Sequence, residues 1–257
     1  MSTPELIAAA KRIVIKVGSS SITGENSDQL DVVVDLCARL MASGKEVILV
    51  SSGAIATASP MLGLTVKPED LATSQALASI GQAKLMSRYE KSLARHHRIP
   101  GQVLLTVDNL EQPVSSTNAL HALERLLELE VLPVINENDS VATQEIRFGD
   151  NDQLAARVSA LVSADLLILF SDIDSLYSKH PSDPEAKRIE TVAIDEDLSW
   201  IQVSGTSTGY GTGGALTKLS AAKNAANHRV GVILTLTGHA AKLDSAPVIH
   251  TWFEPAN

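Results

Sequence analysis

Six short apolar runs, separated by longer amphipathic stretches, constrain this chain most. The runs are Ile13–Ile15, Glu46–Val50, Gln102–Leu105, Val131–Ile135, Leu166–Phe170 and Val232–Leu236. Each has strand length, and each is apolar without alternation, the pattern of a strand buried on both faces. The stretches between them read as helices. Ser27 is placed to cap one running to about Met41, with Leu30, Val33, Val34, Cys37, Leu40 and Met41 on one side and Gly44 ending it. A long helical tract follows from about Leu71 to His97. Leu120, Leu123 and Leu127 mark another helix at i, i+3, i+7 spacing. Helices are further expected over about 152–162 and 218–228, a hairpin over Val141–Phe148, and a last edge strand at Ile249–Phe253. Strand and helix alternating this often predict an α/β fold: a three-layer αβα sandwich around a central, mostly parallel sheet.

Composition narrows the class. The 257 residues are 44% apolar and 20% charged, an ordinary globular balance. Lys plus Arg number 21 against 30 Asp plus Glu, a net charge of −9, and no basic run exceeds two residues. Nucleic-acid coating is therefore disfavoured, because phosphate binding needs concentrated positive charge. Aromatic residues make up 3%, so the core must be Ala, Val, Ile and Leu, and base-stacking platforms are lacking. The single cysteine, Cys37, precludes an intrachain disulfide and sits in a helical, apolar setting expected to be buried and inert. The N-terminus lacks a basic segment followed by an apolar one, and no apolar stretch reaches 18 residues. A cytoplasmic protein with no membrane span is expected. No Pro-, Gly- or Ser-rich linker divides the chain. The biased stretch Ser204–Gly214 reads as a loop that is mobile or ordered by a ligand.

In open α/β sheets ligands bind at the carboxyl ends of the strands. Those ends carry Lys16 with Gly18-Ser19-Ser20, then Ser51-Ser52-Gly53-Ala54, Asn136-Glu137-Asn138-Asp139, and Ser171-Asp172-Ile173-Asp174. The late helix opens with Gly213-Gly214-Ala215-Leu216-Thr217-Lys218. Each has a plain structural reading: a lysine reaching solvent, a turn, a solvated loop. Gly149-Asp150-Asn151-Asp152 reads equally as a turn with a helix cap. Gathered in one crevice they supply amides and two lysines for phosphoryl oxygens, and acids for Mg²⁺ or for orienting the lysines. Phosphoryl transfer needs that set.

Missing motifs exclude neighbouring classes. The only Gly-Lys pair, Gly44-Lys45, precedes Glu46, so there is no P-loop. Neither H-R-D nor D-F-G occurs. The formal G-x-G-x-x-G at Gly209, Gly211 and Gly214 has no acid about twenty residues on and is a weak dinucleotide signal. The seven histidines show no metal spacing, and His96-His97 read as surface. No metal ligand is assigned.

The motifs Ile15-Lys16-Val17-Gly18-Ser19-Ser20, Val50–Ala56, Asn136-Glu137-Asn138-Asp139-Ser140-Val141, Phe148–Leu154 and Gly211-Thr212-Gly213-Gly214 through Thr217-Lys218 resemble the amino-acid kinase family. The likeness runs from Arg12 to about Phe253. The N-E-N-D and G-D-N-D segments resemble the branch that phosphorylates the γ-carboxylate of L-glutamate at the start of proline biosynthesis. The resemblance implies a carbamate kinase-like fold. It also implies one kinase domain over 1–257, with a substrate lobe over about 1–165 and an ATP lobe over about 166–257; many relatives carry a further C-terminal PUA domain, and none is expected within these residues. It implies catalytic roles for Lys16 and Lys218 on the phosphoryl group, with Asp152 holding the two lysines. Ser52, Asp139 and Asn151 match glutamate-binding positions, with Gly53, Ala54, Asn136 and Asp150 nearby. Lys16, Ser171, Asp172, Thr212, Gly213, Gly214, Ala215, Leu216, Thr217 and Lys218 match the ATP side, with Mg²⁺ bridging the phosphates.

Feedback by proline, a homodimer or homotetramer, and functional coupling to glutamate-5-semialdehyde dehydrogenase follow from the same resemblance. Two positions depart from the family pattern: Ala215 stands where Met is usual, and Ser175 where Gly is favoured. Neither removes a charged group. Two other readings compete. One is an amino-acid kinase with another acid substrate. The other is a non-catalytic nucleotide-binding sensor or storage protein, which loss of Lys16, Asp152 or Lys218 would mark; all three are present.

Overall fold

The computed structural model describes residues 1–64, 70–141, 151–179, 182–198 and 215–257. Its centre is an eight-stranded sheet. The six apolar runs form β1 (Arg12–Val17), β2 (Glu46–Ser51), β3 (Pro100–Leu105), β4 (Leu132–Glu137), β5 (Leu166–Ser171) and β9 (Gly231–Leu236). Three two-residue strands lie between the last two: β6 (Leu176–Tyr177), β7 (Arg188–Ile189) and β8 (Thr191–Val192). β10 (Thr251–Phe253) is the final strand, and the sheet order is β3-β4-β2-β1-β5-β9-β10-β8. Pairing is parallel from β3 through β9; only β10 runs antiparallel to its neighbour β9.

Helices cover both faces, which explains the unbroken apolar runs. Ile13, Ile15, Val47, Leu49, Val134, Ile168 and Phe170 point to one face. There they meet Leu6 of α1 (Thr3–Ala9), Val33 and Cys37 of α2 (Gln29–Ala42), and Leu85, Tyr89 and Leu93 of α4 (Leu71–Ala94). Val14, Ile48, Val50, Ile135, Leu167 and Leu169 point to the other. They meet Leu123 of α6 (Pro113–Glu128), Leu154, Ala155 and Val158 of α7 (Asn151–Leu161), and Ala221, Ala222 and Ala225 of α8 (Ala215–Asn227). The alanines let α7 and α8 lie close to the strands. Two short helices complete the set, α3 (Ala54–Ala58) and α5 (Val107–Glu111). Cys37 is fully buried, and burial pushes its thiol up to about 12.

Three local expectations change. Ser27 does not cap α2: it closes a preceding 3₁₀ turn with helical backbone (φ −53°, ψ −34°), and Asp28, the residue before Gln29, is helical as well and makes no side-chain cap bond. The long tract ends at Ala94 rather than His97, which has left-handed φ (54°); His97 is exposed, while His96 is half-buried and bonded to Asp35. The last strand is not at the edge, because β8 pairs outside it. A two-residue strand carries no period to read. The expected hairpin over Val141–Phe148 lies, beyond Val141, outside the described residues.

Candidate active site

β1 ends by delivering Lys16, 4% exposed, into the interior. A buried lysine must be paired, because removing an ammonium from water is expensive. Its partner is Asp152, in the first turn of α7 and fully buried: Lys16 Nζ lies 2.6 Å from Oδ1. The other carboxylate oxygen, Oδ2, accepts from Lys218 Nζ at 3.0 Å. Lys218 comes from the first turn of α8 and is itself buried. Elements distant in sequence thus converge on one carboxylate. Burial opposes the ionised form of Asp152, but Lys16 and Lys218 more than offset this and hold its carboxyl below the ordinary range. A Cβ added at Gly18 would lie 3.6 Å from Lys16 Nζ, so the turn after β1 closes over the ammonium group.

The residue before Asp152 opens a second set of bonds. Asn151 Nδ2 lies 3.0 Å from the Ser51 carbonyl, 2.6 Å from Ser52 Oγ and 2.9 Å from Asn136 Oδ1. Asn136, at the end of β4, accepts the backbone N–H of Glu137 on that same oxygen. Asn151 and Asp152 therefore join the ends of β2 and β4 to the lysine pair. Gly53 follows with φ 105°, a left-handed conformation that favours glycine, and starts α3 at Ala54. A Cβ there would come within 3.3 Å of Thr23 Cγ2. Asp139 is half-buried and opens a 3₁₀ turn (Asp139–Val141) beside α4.

Ser171 and Asp172 end β5 and bond to each other, Ser171 Oγ donating to Asp172 Oδ1 at 3.0 Å. Thr237 Oγ1 donates to the Ser171 carbonyl (3.0 Å) and lies 2.9 Å from Ser21 Oγ. That ties this strand end to the turn following Lys16. Leu216 is exposed and Thr217 half-buried in the first turn of α8, and Ala215 is the first residue of that helix. Asp150, Thr212, Gly213 and Gly214 lie outside the described residues. Among the described residues no cluster of three His, Cys, Asp or Glu forms a metal site, and no helix is long and apolar enough to cross a membrane.

Sequence reasoning missed the part played by α4. Gln82 Oε1 accepts from Asn136 Nδ2 at 2.7 Å, and Tyr89 Oη lies 2.7 Å from Ser51 Oγ. Gly81 lets α4 approach α3: a Cβ there would stand 1.8 Å from the Ala54 carbonyl oxygen. The signal was present in the buried stripe Leu77, Ala78, Gly81, Gln82 and Leu85, where a glutamine occupies a core position.

Residues 11–235 match the model of the amino acid kinase family. The chain belongs to the amino acid kinase family. Curated members of high similarity include a glutamate 5-kinase of Clavibacter sepedonicus, 55% identical over 249 residues covering 97% of this chain and 96% of that one. A glutamate 5-kinase of Leifsonia xyli is 52% identical, with 97% and 93% covered. One of Salinispora arenicola is 48% identical, covering 97% of this chain and 69% of its own. Among solved structures, carbamate kinase from Giardia lamblia bound to AMP-PNP superposes with a TM-score of 0.66 over 97% of this chain and 100% of that one, at 13% identity. That likeness extends to the fold, a central, mostly parallel sheet with helices on both faces.

Proposed function

We propose that this chain is a glutamate 5-kinase. In this reading it transfers the γ-phosphoryl group of ATP to the γ-carboxylate of L-glutamate, giving glutamyl 5-phosphate and ADP as the first step of proline biosynthesis. The observation that carries the reading is the bonding of Asp152 to both Lys16 and Lys218, next in sequence to the Asn151 set. The 48–55% identity to glutamate 5-kinases supports the substrate.

The chemistry asks little of a base. A carboxylate nucleophile is already ionised near neutral pH, with a free value of about 4.3. The burden falls on holding two anions together and on neutralising charge that develops on the transferred oxygens. Lys16 and Lys218 supply that charge. Asp152 keeps the two ammonium groups in place against their mutual repulsion. Ser52, Gly53, Ala54, Asn136, Asp139, Asp150 and Asn151 form the glutamate side: acids suit the α-ammonium, amides and the hydroxyl suit the carboxylates. Lys16, Ser171, Asp172 and the segment Thr212–Lys218 form the nucleotide side. Backbone N–H groups in the first turn of α8 lack intrahelical acceptors and suit phosphate oxygens. Mg²⁺ arrives with the nucleotide as MgATP and supplies further charge neutralisation on the phosphates.

The same reading takes residues up to about 165 as the substrate lobe and the remainder as the ATP lobe of one domain. It extends to a cytoplasmic homodimer or homotetramer, inhibition by proline, and functional coupling to glutamate-5-semialdehyde dehydrogenase, because acyl phosphates are labile in water.

The test is ATP-dependent ADP release with L-glutamate against aspartate, N-acetylglutamate, carbamate and UMP. Release with glutamate alone is expected. Release with another acceptor instead would replace the substrate, and release with none would favour a nucleotide-binding protein without turnover.

A further inference from the structure

The polar chain linking Gln82, Asn136 and Asn151 has a fixed direction. Asn151 Nδ2 faces a backbone carbonyl, that of Ser51, so this atom must be the amide nitrogen. Asn136 Oδ1 faces a backbone N–H, that of Glu137, so it must be the oxygen. Asn136 therefore turns its Nδ2 toward α4, and Gln82 answers with Oε1 at 2.7 Å. The two backbone anchors dictate the orientation of all three amides. They leave an amide group at each end, Gln82 Nε2 and Asn151 Oδ1, buried without a partner among the described residues.

A chain satisfied in the middle and open at both ends is a poor structural device. Apolar side chains of the same shape would fill the space without burying unmatched polar atoms. Gln82 is 9% exposed and lies on the core stripe of α4, where leucine would otherwise serve. Its neighbour Gly81 sets the distance of α4 from Ala54, so one turn of this helix fixes both sides of the Ser52–Ala54 loop.

We propose that Gln82 is a positioning residue for the acceptor site, holding Asn136 so that Asn151 stays in place beside Ser52. This rests on the reading of Asn136 and Asn151 as glutamate-binding residues. Gln82 is hydrogen-bonded to Asn136 rather than to Lys16, Asp152 or Lys218, so its influence falls on the acceptor and not on ATP.

Gln82→Met keeps the volume and removes the acceptor for Asn136 Nδ2. It is expected to raise the KM for glutamate about tenfold with the KM for ATP unchanged. Gln82→Ala, which cannot overfill the space, is expected to give the same selective rise. Gln82→Glu retains an oxygen at the same reach and is expected to return the glutamate KM to within about threefold of wild type. Added to Asn136→Ala, the Gln82→Met change should have no further effect, because the two act in series. An unchanged glutamate KM in both Met and Ala variants, equal effects on both substrates, or additivity with Asn136→Ala would overturn the positioning role while leaving an active wild-type kinase intact. Wild-type turnover of a different acceptor would overturn the substrate assignment itself, and Gln82's place in a glutamate site with it.

Discussion

Asp152→Asn is the substitution that bears hardest on this account. The side chain keeps its shape and loses its charge. In the wild type each carboxylate oxygen faces an ammonium group, at 2.6 Å and 3.0 Å. At an effective dielectric of about 20, each contact is worth about 6 kcal/mol before desolvation of the three buried ions is set against it. In the variant one amide oxygen still accepts from one lysine. The amide nitrogen must face the other, donor against donor, and the two cations repel without a counter-charge. Breaking a buried ion pair this way costs about 3–5 kcal/mol, a fall of roughly 6–15 °C in Tm for a chain of this size. Displaced lysines should lower kcat at least about a hundredfold.

Thermal melts by circular dichroism and steady-state kinetics on the same preparation read both. The pH dependence has a definite sign. The folded-state value of Asp152 lies below the ordinary 3.8. Its contribution is therefore present above about pH 4 and lost as pH falls through the lower folded value. The Tm gap between wild type and Asp152→Asn should stay wide from pH 7 to about 5 and close below about 4. A Tm within 2 °C or so of wild type at pH 7, with kcat within about tenfold, would refute the reasoning.

Three further substitutions separate chemistry from scaffold. Lys218→Ala leaves Asp152 paired with Lys16, so the fold should survive while kcat drops about a thousandfold; single-turnover phosphoryl transfer checks this. Arg12 sits at the opposite end of β1, where its guanidinium bonds Glu46 and Glu124 at 2.7 Å each and the Val162 carbonyl. Arg12→Met should lower stability by about 1–2 kcal/mol in a denaturant melt and leave both KM values unchanged. Gly81→Ala drives a methyl group into the Ala54 carbonyl oxygen, a backbone atom that no side-chain rotation can relieve. It should raise the glutamate KM about tenfold or more and spare the ATP KM, as measured by initial rates.

The sheet was legible because its strands are buried on both faces and so appear as unbroken apolar runs. Lys16, Asp152 and Lys218 were singled out by motif, Lys16 also by its place at a strand end, and the structure brings the three side chains together. What escaped was non-local. β8 is two residues long, and only the neighbouring β10 makes it a strand. Ser27 looked like a cap because the preceding 3₁₀ turn, which has already made its backbone helical, leaves no mark in hydrophobic period. Gln82 and Gly81 matter through partners tens of residues away, Asn136 and Ala54, and one helical sequence cannot announce its contacts. A glutamine on an apolar stripe was the one readable sign.

The central claim is that the acceptor carboxylate attacks phosphorus directly, held beside the lysine pair. Glutamate labelled with ¹⁸O in its γ-carboxylate, incubated with MgATP and hydroxylamine, tests it most directly. Hydroxylamine attacks the carbonyl carbon of an acyl phosphate and expels phosphate that keeps the bridging oxygen. The account predicts one ¹⁸O in each phosphate released, in step with hydroxamate formed. Unlabelled phosphate released along with ADP would mean that water is the acceptor and would contradict it.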